Sequence, residues 1–274
     1  MNILDITKKN YKIILFWIAI LAIIIFVDCC LRLYLFSEEN KIKKIEIEQK
    51  VFGYSVLGKP INGYEIGNGA NIVLLIGATH GNERGSGYLL NKLVAEIKND
   101  TKIISKNKKI IIIPIVNPDG YAIYQKFNAN GVNLNLNFGT IKWENYGPQG
   151  TYAGSVPFSE IESQTIKKVV EQYSPTMMIS YHASGAIVVP EEGASSMALA
   201  KWYAKKTGYI YYDDASAIVD NLNWDFPGTA TKWFVESTGK PAITVELTSL
   251  YESDWEINKN VLLDIISSDI INYN

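Results

Sequence analysis

The stretch Asn71-Ile-Val-Leu-Leu-Ile76-Gly77-Ala-Thr-His80-Gly-Asn-Glu83-Arg84 decides how the rest of the chain is read. Its apolar run, Ile72 to Ile76, predicts a buried strand, and the small residues after it predict a turn. That turn carries His80 and, three residues on, Glu83. An imidazole nitrogen and a carboxylate at this spacing can face one borderline cation such as Zn²⁺. A His-x-x-Glu pair is common on its own, so the third ligand matters. The chain has only two histidines, and the other, His182, follows a second strand-like run, Thr176 to Tyr181. Two histidines and one carboxylate are the set expected of a catalytic zinc that keeps a position open for water. Two further segments strengthen the reading. Ile243 to Leu247 predicts a buried strand interrupted by Glu246, and a carboxylate there is costly unless it is paired, bound or catalytic. Asn117-Pro-Asp-Gly-Tyr121 is a strong turn signal after the apolar run Ile110 to Val116.

Outward from that stretch, strands are expected at Glu46–Tyr54, Gly63–Ile66, Asn71–Ile76, Lys109–Ile115, Thr176–Tyr181, Ile187–Pro190, Tyr209–Tyr212 and Ala242–Leu247. Helices are expected at Gly85–Ile97, Ser159–Tyr173, Ser195–Thr207, Thr229–Thr238 and Trp255–Ile271. Ser159 with Glu162 reads as a capping box, and Gly208 and Gly239 read as helix stops. Apolar strands alternating with helices predict an α/β sandwich with a covered sheet. The Asn- and Gly-rich segment from Asn128 to Gly154 reads as a long loop of the kind found at active sites.

The N-terminus differs. Ile13 to Val27 is an unbroken apolar run behind Lys8, Lys9 and Lys12. Extended through Phe36 it reaches the length of about 20 residues that a membrane span needs, with Asp28 and Arg32 four apart on one helix face. The expected organisation is a short tail (1–12), a transmembrane signal anchor (13–36), a charged linker (37–50) and a single domain (51–274), with the domain on the extracytoplasmic side of the cell membrane. Both cysteines, Cys29 and Cys30, fall in the anchor, so the domain carries no disulfide framework. A formal net charge of -2 and a pI near 5.8 argue against a nucleic-acid surface. The chain holds 24 lysines against two arginines, Arg32 and Arg84.

In order along the chain, His80-Gly-Asn-Glu83, Asn117-Pro-Asp-Gly-Tyr121, Asn130-Gly-Val-Asn-Leu-Asn-Leu-Asn-Phe138, His182 and Thr244-Val-Glu246-Leu resemble the zinc carboxypeptidase family, the M14 metallopeptidases. The match runs from about Val51 to Leu250. Gly58-Lys-Pro-Ile61 and Phe158-Ser-Glu-Ile-Glu162 are closest in character to short bacterial members such as the murein peptide amidases. The resemblance implies a three-layer sandwich on a mixed, mostly parallel twisted sheet. It implies zinc on His80, Glu83 and His182, with Glu246 as the base that activates the zinc-bound water for attack on an amide. Lys126 stands where short members place an oxyanion-stabilising arginine, and keeps the charge without the planar fork.

Three departures bear on the substrate. Asn135 is retained from the pair that clamps a terminal carboxylate, but Leu136 replaces the clamp arginine. Asn133 replaces an aspartate that would buttress His80. Thr231 falls at the side-chain pocket, with Asp225, Tyr209, Tyr211 and Tyr212 as further candidates. The expected function is zinc-dependent hydrolysis of a peptide amide, with cell-wall stem peptides as a plausible substrate. The alternative is a weakly active or inactive zinc-containing peptide-binding domain.

Overall fold

The computed structural model describes residues 3–40, 45–212 and 226–269. The chain divides into two units, residues 1–44 and 45–274. The first is the helix α1, Ile3–Asn40, whose segment Leu15–Tyr34 has a mean hydropathy of 2.4 and is long and apolar enough to cross a membrane. Within it Arg32 Nε donates to Asp28 Oδ2 at 2.8 Å, so the two charges in the apolar run neutralise each other along one face.

The second unit is an eight-stranded sheet between two helical layers. Its strands are β1 (Ile47–Tyr54), β2 (Pro60–Ile66), β3 (Asn71–Gly77), β4 (Lys108–Ile113), β5 (Met177–Ala183), β6 (Ile187–Pro190), β7 (Ile210–Tyr211) and β8 (Ala242–Leu247), in the order β1-β2-β4-β3-β5-β8-β6-β7. The central four, β4, β3, β5 and β8, run parallel, and the pairings β1–β2, β2–β4 and β6–β8 are antiparallel. Parallel strands need both faces covered. On one face α2 (Arg84–Asn99), α5 (Ala194–Thr207) and α7 (Trp255–Ser267) pack on Val73, Leu75, Ile179 and Val245. On the other α4 (Ile161–Tyr173) and α6 (Ala230–Thr238) pack on Leu74, Ile76, Met178 and Ala242. Side chains alternate along these strands, so each central strand feeds both layers. The short helix α3, Pro118–Ala122, follows β4.

Gly208 and Gly239 close α5 and α6 in the left-handed conformation, as their sequence positions predict. The expected capping box does not form. Helix α4 starts two residues later than Ser159, because Glu162 is drawn off by Val56 N and Asn128 Nδ2 while the Ser159 hydroxyl donates to Glu160. The Asn128–Gly154 segment is pinned by single turns at Leu134–Leu136 and Pro148–Gly150 and by a bridge between Tyr146 and Tyr152.

Candidate metal centre

Strand β3 ends at Gly77, and the next residue, Ala78, turns the chain with a φ of 45°. That left-handed conformation costs a non-glycine residue about 1–2 kcal/mol. Hydrogen bonds from Ala78 N to Ser86 Oγ (2.8 Å) and from Asn117 N to Ala78 O (3.1 Å) hold it in place. The turn delivers His80 and Glu83 to the start of α2, where Ser86 Oγ also donates to Glu83 O. Gly85 has no room for a side chain, since a Cβ there would stand 2.2 Å from Glu252 O. His182 lies inside β5 rather than after it, directly across the ladder from Glu246 on β8. Neighbours in register point to the same face, so His182 and Glu246 emerge side by side on the α4–α6 face.

The side chains of His80, Glu83 and His182 are all buried, and their ligand atoms lie within 4.8 Å of one another. His80 Nδ1 is 2.6 Å from Glu83 Oε1, His182 Nδ1 is 2.9 Å from Glu83 Oε2, and the two Nδ1 atoms are 3.3 Å apart. At a zinc–nitrogen distance of about 2.0–2.1 Å, two tetrahedral ligands stand about 3.3–3.4 Å apart, so the imidazole pair fits that edge. The tautomer fits as well. Asn133 Oδ1 accepts from Asn135 N at 3.1 Å and lies 2.9 Å from His80 Nε2, which makes Nε2 the donor and leaves the Nδ1 lone pair facing the centre. Asn133 therefore does buttress His80, as a neutral amide. His182 Nε2 is buried and has no hydrogen-bond partner among the described residues, so none of them gives its ring that support.

Electrostatics separate the two acids. Burial would raise the pKa of Glu83, but the two imidazoles beside it hold it well below the usual carboxylate range. Glu246 is pushed up to about 8, first by burial and then by the Glu83 carboxylate, with His182 and Lys126 pulling the other way. A divalent cation among the three ligands reverses the sign of the local field and favours the ionised form of Glu246.

Other expected site residues fall at varying distances from this centre. Lys126 is exposed at its side chain but close enough for its charge to be felt at Glu246. Asn135 accepts from Ala230 N at 3.3 Å and so touches the N-terminus of α6. Thr231, almost fully buried, donates to Glu191 Oε1 at 2.6 Å and meets Thr244 Oγ1 at 3.1 Å, two residues before Glu246 on β8. Leu136 is buried, and a Cβ on Gly147 would stand 2.5 Å from its Cδ1, so it packs as an apolar residue and supplies no clamp. Arg84 does not replace the clamp. Its guanidinium lies over the rings of Tyr121 (4.1 Å) and Tyr124 (4.4 Å) and donates to Tyr121 O. Tyr209 packs in the opposite layer against Asn258 and Asp254, which removes it from the pocket. Asp225 lies outside the described residues. Glu191 was missed by sequence reasoning, because a second acid in Pro190-Glu-Glu-Gly193 reads as loop surface.

Comparison with known proteins bears on the family and the fold. The family described as zinc carboxypeptidase matches residues 40–253. Murein peptide amidase A of Vibrio campbellii is 27% identical over 227 residues, spanning 77% of this chain and 83% of that protein. Among solved structures, the murein-tripeptide amidase of Escherichia coli O157 superposes with a TM-score of 0.61 at 20% identity, covering 82% of this chain and 93% of that one. Bovine thrombin-activatable fibrinolysis inhibitor superposes with a TM-score of 0.67 at 16% identity, covering 86% and 94%. These likenesses show the fold, and with the family match over most of its length the chain belongs to the zinc carboxypeptidase family of metallopeptidases.

Proposed function

We propose that this chain hydrolyses an amide in a peptide, using zinc held by His80, Glu83 and His182, and that its substrates are cell-wall stem peptides. The observation that carries the reading is the meeting of three ligand atoms with Glu246, the in-register neighbour of His182. Zinc bound there supplies an activated water and polarises the amide carbonyl. Glu246 takes the proton from the attacking water and returns it to the leaving nitrogen. Lys126 places a positive charge toward the oxyanion, as a flexible point donor. Asn135 contacts the substrate beside α6, while Thr231, buried and bonded to Glu191 and Thr244, supports the pocket from behind. Because Leu136 is packed and Arg84 is stacked on tyrosines, a free C-terminal carboxylate meets no arginine fork here. The wall substrate is supported by the murein peptide amidase A relative and by an N-terminal helix that we take to anchor the domain outside the cell.

The test is digestion of purified stem peptides, and of paired peptides with free and blocked C-termini, with and without chelator. The expected result is chelator-sensitive cleavage that does not require a free C-terminus. Glu246→Gln should lower the rate by roughly 10²–10⁴-fold with zinc retained. Cleavage restricted to free C-termini contradicts the missing clamp. A second reading, a zinc-containing peptide-binding domain of low turnover, is favoured by the neutral Asn133 and the unsupported His182 Nε2. Zinc-loaded protein that binds these peptides and cleaves none would establish it.

A further inference from the structure

The segment Asn117-Pro118-Asp119-Gly120-Tyr121 holds none of the groups assigned to chemistry above, yet Asn117 is completely buried and each of its polar groups has a partner. Its N–H donates to Ala78 O, in the turn that leads to His80. Its Oδ1 accepts from Gly120 N at 2.9 Å, capping α3. Its Nδ2 donates to Lys126 O at 3.4 Å, and that carbonyl also accepts from Gly81 N at 3.1 Å. One carbonyl therefore joins the lysine to the residue after His80 and to Asn117. The fit is close. A Cβ on Gly81 would stand 2.2 Å from Gly120 C, 2.3 Å from Tyr121 N and 2.5 Å from Gln125 O. A Cβ on Gly120 would stand 2.6 Å from Phe127 O. The chain from 120 to 127 is thus wrapped around Gly81.

We propose that Asn117 is a positioning residue that fixes the backbone origin of Lys126 against the metal turn, so that the ammonium is presented over the site shared by His80 and Glu246. The inference rests on the reading of Lys126 as the cation that meets the oxyanion. A lysine side chain has many accessible rotamers and no planar fork to orient it. The Lys126 side chain is exposed and without a fixing hydrogen bond among the described residues, so its placement comes from the backbone. A displaced origin carries through to the charged end. Where an arginine can be aligned by its own bidentate contacts, a lysine relies on where its Cα is held.

The test is a double-mutant cycle in the full chain, with kcat, KM, zinc content and melting temperature measured for each variant on a peptide the wild type cleaves. Asn117→Asp keeps an oxygen acceptor for Gly120 N, now a carboxylate in place of the amide carbonyl, but turns the donor facing Lys126 O into a second acceptor. Asn117→Ser adds no charge, keeps a short acceptor and removes the amide, and it carries the test if the Asp variant does not fold. The expected result is a fall in kcat of roughly tenfold with KM and zinc content unchanged, as for an interaction made only in the transition state. That loss should vanish when Lys126→Ala is already present, because coupled residues are not additive. An equal fold-loss in both backgrounds, or unchanged kcat, overturns the positioning role. A Lys126→Ala single variant with full activity instead overturns the oxyanion reading itself, and the positioning role with it.

Discussion

Glu246 bears two opposed demands: it must be buried beside Glu83, and it must be ionised to accept a proton. Without metal its pKa stands near 8, above the ordinary 4.5. The folded chain then binds more protons than the unfolded chain between these values, so the contribution of this group to stability falls as pH rises from 4.5 to 8. Metal-free Glu246→Gln should therefore melt above metal-free wild type at about pH 9, with the difference closing near pH 4. Equal melting curves across that range would show Glu246 to be solvated. The same residue scale shows what could be read in advance. That His80, Glu83 and His182 would cluster was legible because each is a polar group within or shortly after an apolar strand-like run, and Glu246 stood out in the same way inside the apolar run of β8. The packing of Leu136 and the stacking of Arg84 were not legible, because both depend on partners distant in sequence, Gly147 for one and Tyr121 and Tyr124 for the other.

At the scale of elements, the site depends on the outer strands staying attached to the central four. Glu65 on β2 accepts from Lys50 on β1 at 2.6 Å, Lys109 on β4 at 2.7 Å and Tyr173 of α4 at 2.8 Å. Partial burial would raise its pKa, but these donors outweigh it and bring the value down to about 2. A depressed carboxylate stabilises the fold above its unfolded pKa and loses that contribution as pH falls through the folded one. Glu65→Gln should accordingly be less stable than wild type at neutral pH, and the gap should shrink as the pH is lowered from 4.5 toward 2. A gap of constant size would assign the effect to packing. Asp119 performs a similar task near the site, accepting from Leu57 N and Lys59 Nζ, which ties the β1–β2 turn to α3. Strand and helix identities were readable from apolar runs and glycine stops. The boundary of α4 was not, because Glu162 had a better partner in Asn128 than the helix N-terminus offered.

For the whole molecule, a helix with a 20-residue apolar segment precedes in sequence a domain whose sheet is covered on both faces. If the helix anchors the chain, the full-length protein should resist alkaline extraction from membranes, and a chain lacking residues 1–44 should not. The domain should also be cut by external protease on intact spheroplasts. Protection of the domain there would reverse the orientation we assign. The α/β class was legible from the alternation of strand and helix signals. The sheet order was not, since the antiparallel entry of β6 beside β8 leaves no mark in a single sequence.

The measurement that bears most directly on the account is the zinc content of the purified full-length chain beside that of His182→Ala. The account predicts about one zinc ion per chain in the wild type and loss of most of it in the variant, since a catalytic zinc site has three protein ligands. A wild type that takes up no zinc under saturating conditions, or a variant that retains it undiminished, would contradict the proposed centre.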